Sequence, residues 1–180
     1  MKTNVYQKIL QEAGLQSFKR AEDSKKWFRE AALKVSKGSI SPNSVINQKP
    51  GISSVGKKNI WNLILYNYSP KTKNDLPYYD TFPIVFPYKL DKDGFYGYNL
   101  HYLPPNIRAV LMDNIYGLNK ASKWFDSCIK KYLFTHIRSK IAVIPQSEWD
   151  LALFLPLQRF QKQSESSVWS DSIKKVKGNK

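Results

Sequence analysis

The chain predicts an α+β fold, a small antiparallel sheet packed against three helices, with basic, partly mobile N- and C-terminal extensions. Three observations carry that expectation. Residues 60–108 interleave aromatics with prolines at 70, 77, 83, 87, 104 and 105. Each proline fixes φ and removes a backbone donor, so short strands with defined turns replace long helices there. Apolar residues then recur at helical spacing over 105–118, 122–140 and 147–155. Both termini, in contrast, are polar and rich in lysine.

A length of 180 residues suits one compact body with extensions. The expected division is an N-terminal helical arm at 1–36, a linker at 37–59, an α+β core at 60–156 and a basic C-terminal tail at 157–180. In the arm, Trp27, Phe28, Ala31, Ala32 and Val35 share one arc of a helix over 17–35, and a shorter helix over 1–13 ends at Gly14. Residues 36–58 are rich in Gly, Ser, Asn and Pro and poor in large apolar groups, as linkers are. Residues 60–68 and 82–88 read as strands, the second flanked by prolines and so at an edge or beside a bulge. Asp91, Lys92, Asp93 and Gly94 supply turn formers ahead of a strand at 95–100, which makes a hairpin.

Pro104 and Pro105 open a helix through 118, because a first turn tolerates the missing donor. A second helix is expected over 122–140, followed by a short strand or connector at 141–144. Ser147 and Asp150 resemble a capping box that starts a helix stopped by Pro156. The tail carries one apolar stripe, Val168, Trp169, Ile173 and Val176, and is expected to be helical only when docked.

A hydrophobic fraction of 42% with 14% aromatics excludes a wholly disordered chain. The 29 Lys and Arg against 14 Asp and Glu leave a formal charge of +15, which favours an anionic partner: nucleic acid, acidic protein or anionic lipid. No run approaches the roughly 18 apolar residues of a membrane span, and the N-terminus lacks an apolar signal core, so a soluble protein without a membrane partner is expected. The single cysteine, Cys128, permits no internal disulfide and falls in an apolar pattern, as a buried structural thiol would.

On a helix over 122–140, Lys123, Lys130, Lys131 and Arg138 project within an arc of about 100°, opposite Trp124, Phe125, Cys128, Ile129, Tyr132 and Leu133. Such a stripe either meets phosphates or is an ordinary solvated face. The tail adds Arg159, Lys162, Lys174, Lys175, Lys177 and Lys180 against Glu165 and Asp171. The aromatics Tyr66, Tyr68, Tyr78, Tyr79, Phe95, Tyr96, Tyr98 and Tyr102, interleaved with Lys71, Lys73 and Lys89, suit stacking on unpaired bases at a DNA end and equally docking against another protein.

Catalysis has little in its favour. His101 and His136 are the only histidines, and no cluster of Cys and His makes a zinc site. Asp75, Asp80, Asp91 and Asp93 are the acids from which a magnesium-dependent nuclease would have to be built, but Asp91 and Asp93 belong to a turn. No phosphate-cradling glycine loop is present. Neither catalytic residues, nor a metal, nor a cofactor is therefore expected.

The wording of the chain also carries a resemblance. The runs YNYSPKTKNDLPYYDTFPIVFP, GFYGYNLHYLPPNIRAVLMDNIY, CIKKYLFTHIRSK, EWDLALFLP, QRFQK and VWSDSIKK are similar to the DNA end protector family of small virion proteins from T-even-like tailed phages. That resemblance, from about residue 60 onward, implies a protein added to the filled head or neck that shields genome ends from host nucleases without chemistry of its own. Its implied partners are double-stranded DNA ends and other virion proteins, in the virion and, during assembly, in the host cytoplasm. A structural tail, neck or baseplate component that meets acidic protein neighbours is the alternative.

Overall fold

The computed structural model describes residues 41–116 and 122–178, so the helices expected at 1–13 and 17–35 lie outside the described residues. The strands are β1 (Gly51–Ile52), β2 (Leu63–Leu65), β3 (Tyr79–Asp80), β4 (Ile84–Leu90), β5 (Gly94–Asn99), β6 (Ile129–Leu133), β7 (Ile141–Ile144) and β8 (Phe160–Gln161). The helices are α1 (Pro42–Gln48), α2 (Pro105–Tyr116), α3 (Lys123–Cys128), α4 (Trp149–Phe154) and α5 (Glu165–Gly178). Six strands form one antiparallel sheet in the order β1-β7-β2-β4-β5-β6, while β3 and β8 pair separately. The chain is thus α+β around an antiparallel sheet, as its patterning predicts.

The continuous apolar runs in β2, β4 and β7 follow from burial on both faces. One face presents Leu63, Leu65, Ile84, Phe86, Ala142 and Ile144 to Leu111, Met112, Phe125, Leu153 and Val168 of the helices. The other carries Ile64, Val85, Phe95, Tyr132 and Ile141, joined by Tyr66 and Tyr68. Register enforces the separation: Ile64 lies opposite Val85 and Val143, whereas Leu65 lies opposite Ile84 and Ala142. Tyr132 meets Tyr66 and Tyr68 edge-on at 5.6 and 5.0 Å between ring centroids.

Local chemistry sets the strand limits. Instead of spanning 60–68, the first long strand begins at Leu63, because Trp61 adopts a left-handed φ of 62° and donates its N–H to the Pro87 carbonyl at 2.7 Å. β4 lies between β2 and β5 rather than at an edge, and it accommodates Pro87 by a register shift between Pro87 and Lys89. The expected hairpin forms, closed by the Asp91 amide on the Gly94 carbonyl at 2.9 Å.

The expected helix over 122–140 is corrected most. Ser122 caps a helix that ends at Cys128, after which residues 129–133 form β6 and residues 134–136 a 3₁₀ turn. The run Ile129–Leu133 fits both periods, and pairing with β5, which sets Phe95 opposite Tyr132, decides in favour of strand. Ser147 is likewise not an N-cap: it sits inside a 3₁₀ turn at Gln146–Glu148 that precedes α4. Composition also misleads at 41–59. There α1 buries Val45 and Ile46, β1 extends the sheet, and Lys49 pairs with Glu148.

The C-terminal stripe docks. Ser164 accepts a hydrogen bond from the Ser167 amide at 3.3 Å and caps α5, whose Val168 and Val176 are buried. Glu165 in its first turn and Lys175 and Lys177 in its last complement the helix dipole.

A buried polar network ties these layers together. The Asp80 carboxylate accepts from the amides of Phe82 and Arg159, each at 3.0 Å, and from His101 Nδ1 at 2.7 Å. Asn99 reaches both Asp80 and the Tyr132 hydroxyl. The His101 carbonyl in turn accepts from Trp169 Nε1 at 2.9 Å and from Arg108 at 3.2 Å. Arg108, fully enclosed, also donates to the Leu103 and Leu153 carbonyls, each at 2.7 Å.

Burial would raise the Asp80 pKa, but His101 and the two amides hold it below its usual 3.8. Burial lowers the His101 pKa below 6.5 despite Asp80, so the imidazole is neutral at pH 7, with Nδ1–H donating. Burial also brings the Arg108 pKa down to about 10, leaving its guanidinium charged near the Asp80 carboxylate.

Two outcomes follow for stability. At Gly94 an added Cβ would stand 1.9 Å from the Tyr132 carbonyl oxygen, so Gly94→Ala should cost about 2–3 kcal/mol in urea unfolding. Both Asp80 and His101 have depressed folded pKa values, so in acid the unfolded state takes up protons before the folded state does. Stability monitored by circular dichroism should fall as pH drops below 6.5, and again below 3.8 as Asp80 is titrated. Asp80→Asn should cost about 3–5 kcal/mol at pH 7 and weaken that second decline.

Candidate nucleic-acid interface

A cleft of about 440 Å³ lies between the segment from Tyr68 to Asp80, β6, Tyr102 and the last turns of α5. The segment's conformation is fixed at several points. Ser69 is held through its amide on the His136 carbonyl at 3.1 Å and its own carbonyl at 2.8 Å from His136 Nδ1. A turn at 72–76 follows, in which the Asp75 and Leu76 amides donate to Thr72. Lys162, in a left-handed conformation, donates to the Asn74 and Leu76 carbonyls at 2.9 and 2.7 Å. At the start of the segment, the Tyr68 hydroxyl accepts from the Leu133 amide at 3.1 Å.

The strand geometry of β6 decides which cation enters the cleft. Neighbouring residues of a strand point to opposite faces. Lys130 is directed across the Tyr102 ring, with Nζ 4.3 Å from the centroid. Burial, reinforced by the charge of Lys175, lowers the Lys130 pKa to about 8. Among the described residues it meets no carboxylate. Lys131, at the cleft's rim, is paired with Asp91 and Asp93, each at 2.9 Å, and its pKa is raised by those hydrogen bonds. Lys71 and Lys175, both exposed, complete the cationic lining.

The structure therefore redistributes the residues singled out from sequence. Lys71, Lys130, Lys131 and Lys175 converge on the cleft with Tyr68, Tyr78, Tyr79 and Tyr102. The supposed helical stripe does not exist: Lys123 sits at the start of α3, Lys130 and Lys131 diverge on β6, and Arg138 follows in a loop, exposed. Lys73 and Lys174 are exposed outside the cleft lining. Arg159 donates to the Pro156 and Gln158 carbonyls, and the Lys162 ammonium is spent on holding the loop.

Tyr66 is fully buried and Tyr68 and Tyr102 nearly so, which leaves their rings as core and wall rather than open stacking platforms. Tyr96 and Tyr98 lie elsewhere, in a row with Tyr88, where Tyr88 and Tyr98 stack at 4.6 Å. Burial pushes the Tyr98 hydroxyl up to about 12. Cys128 is buried, its thiol donating to the Phe125 carbonyl at 3.3 Å, and burial pushes its pKa up to about 12.

Sequence reasoning missed the network behind the cleft. Arg108 falls at helical spacing with Leu111, Met112 and Ile115, so a charged residue on an apolar stripe was the available signal. His101, whose only cue is its rarity, is placed by pairing that sequence alone does not reveal. The acids weighed for a magnesium site are dispersed: Asp80 is in the network, Asp91 and Asp93 hold Lys131, and Asp75 is exposed in the loop. Among the described residues no three His, Cys, Asp or Glu converge as metal ligands, and no helix is long and apolar enough to cross a membrane.

The family model described as Phage T4 terminal DNA protecting protein matches residues 2–123. The match extends upstream of the resemblance carried by residues 60 onward and takes in the Tyr68–Tyr102 side of the cleft, while Lys130, Lys131 and Lys175 lie beyond it. No curated protein and no solved structure matches the chain. With well over half its length aligned to that model, the chain belongs to the family of the Phage T4 terminal DNA protecting protein.

Proposed function

We propose that this protein binds the ends of the packaged double-stranded phage genome at the head or neck and shields them by occlusion, making and breaking no bond. The observation that carries the reading is the cleft itself. On a chain of this family with a formal charge of +15, it gathers Lys71, Lys130 and Lys175 among tyrosines, with no carboxylate pairing them among the described residues. Ammonium groups attract the phosphates, and each phosphate neutralised releases counterions. The exposed Lys123, Arg138, Lys174 and Lys177 extend the attraction over the surrounding surface.

Protein neighbours in the virion have a separate surface available. The partly exposed row of Tyr88, Tyr96 and Tyr98 combines apolar area with hydroxyls, as interfaces between proteins do. The protein would meet both partners in the host cytoplasm during assembly and stay with them in the particle.

The test compares binding to linear and circular duplexes of one sequence across a salt series. The linear form should bind more tightly, with log K falling against log salt by about 0.9 per phosphate neutralised. Bound linear DNA should resist an exonuclease, and labelled DNA should stay intact with magnesium or manganese. Equal, negligible binding to both forms would return the protein to a structural role among acidic neighbours.

A further inference from the structure

We infer that the cleft is a receptor for one unpaired terminal nucleotide, taking its phosphomonoester between Lys130, Lys71 and Lys175 and its base beside Tyr78. This rests on the end-binding reading and sharpens it: the protein would recognise an end by its chemistry, and not only by the absence of further duplex.

Three features of the cleft point to this ligand. The first is size. A volume of about 440 Å³ falls within the range of roughly 300–1,000 Å³ that small-molecule sites occupy. The second is depth. Lys130 is drawn onto the Tyr102 ring and only partly exposed, whereas Lys71 and Lys175 are exposed. An internal phosphodiester is tethered on both sides and needs a path in and a path out, whereas a strand terminus needs only one.

The third feature is charge. A phosphomonoester carries about −1.5 to −2 at pH 7 and offers three strong acceptor oxygens. Lys71, Lys130 and Lys175 supply the matching cations, whereas Lys131 at the rim is already neutralised by Asp91 and Asp93. The one carboxylate in the lining, Asp80, is turned into its network with His101 and two backbone amides. The depressed pKa of Lys130 agrees, since it marks an ammonium that burial disfavours and that a bound anion would relieve. Tyr78 and Tyr79 are the half-exposed rings of the lining, and Tyr78, 6.0 Å from Tyr102, can carry a base while Tyr102 backs the ammonium.

The experiment uses the full chain and duplexes closed at one end by a dye-labelled hairpin, read by fluorescence anisotropy. The open end carries one unpaired nucleotide or none, and a 5′-phosphate, a 3′-phosphate or no phosphate. A dumbbell closed at both ends is the control. The phosphorylated, unpaired terminus should bind about 10-fold or more tighter than its unphosphorylated counterpart, and the 5′ and 3′ arms show which end supplies the group.

Lys130→Met should abolish that difference while open ends remain preferred to the dumbbell, and Lys130→Arg should retain most of it. The melting temperature of Lys130→Met should not fall, because the replacement side chain still packs on Tyr102 and a partly buried charge is gone. Lys71→Met, at an exposed position, should reduce the difference independently of any effect on folding. If phosphorylated and unphosphorylated ends bind alike while both exceed the dumbbell, this inference is wrong and end shielding stands. If the dumbbell binds as well as every open end, both are wrong.

Discussion

The buried carboxylate of Asp80 is the constraint on which the rest of the architecture depends. It stands at the junction of the small β3–β8 ladder with the main sheet, accepts two backbone amides from separate segments, and fixes His101. The His101 carbonyl then receives Arg108 from α2 and Trp169 from α5. Every wall of the cleft is anchored within a few residues of this chain of bonds. The loop from Tyr68 ends at Asp80, Tyr102 follows His101, Tyr132 meets Asn99, and Lys175 sits on the helix that Trp169 docks. A carboxylate and a guanidinium buried together gain little net stability over an apolar replacement, but losing either leaves the other uncompensated. That asymmetry makes the network a device for fixing geometry more than for adding stability.

The sequence made some of this legible and concealed the rest for identifiable reasons. The proline and aromatic block pointed to short strands, which lie between Leu63 and Asn99, and the Asp-Lys-Asp-Gly turn located the hairpin, because both signals are local. The stripe of Val168, Trp169, Ile173 and Val176 allowed a helix if the tail docked, but did not show that residues 165–178 pack into the body instead of forming a partly mobile extension. The helix over 122–140 failed because a five-residue run with Ile, Tyr and Leu satisfies either period, and the choice lay with β5, which is distant in sequence. Residues 41–59 failed because composition registers the lack of large apolar groups but not that Val45 and Ile46 suffice to seat a short helix.

The site shows the same division. Choosing lysines and tyrosines by type named the groups that line the cleft, yet the reason given for Lys130 and Lys131 was a helical face that does not form. Strand alternation separates them instead, sending one onto Tyr102 and the other to Asp91 and Asp93. Charge by itself therefore could not rank the cations. Lys162, Arg159 and Lys131 satisfy carbonyls or carboxylates of the protein, and only the fold distinguishes them from Lys71 and Lys175.

In the end-binding reading, these two kinds of cation would do different work. Exposed lysines raise the rate of encounter with a polyanion and add affinity through counterion release, both effects that salt screens. Occlusion, however, is only as good as residence time, because a nuclease needs just one interval in which the end is bare. Residence is set by contacts that must be broken without help from water, and a partly desolvated ammonium on an aromatic wall is such a contact. Burial disfavours that charge, and the bonds of Asp80, His101, Arg108 and Lys162 fix the walls around it. On the end-binding reading the protein would stay in place rather than turn over, so a rigid cleft would cost it nothing in product release.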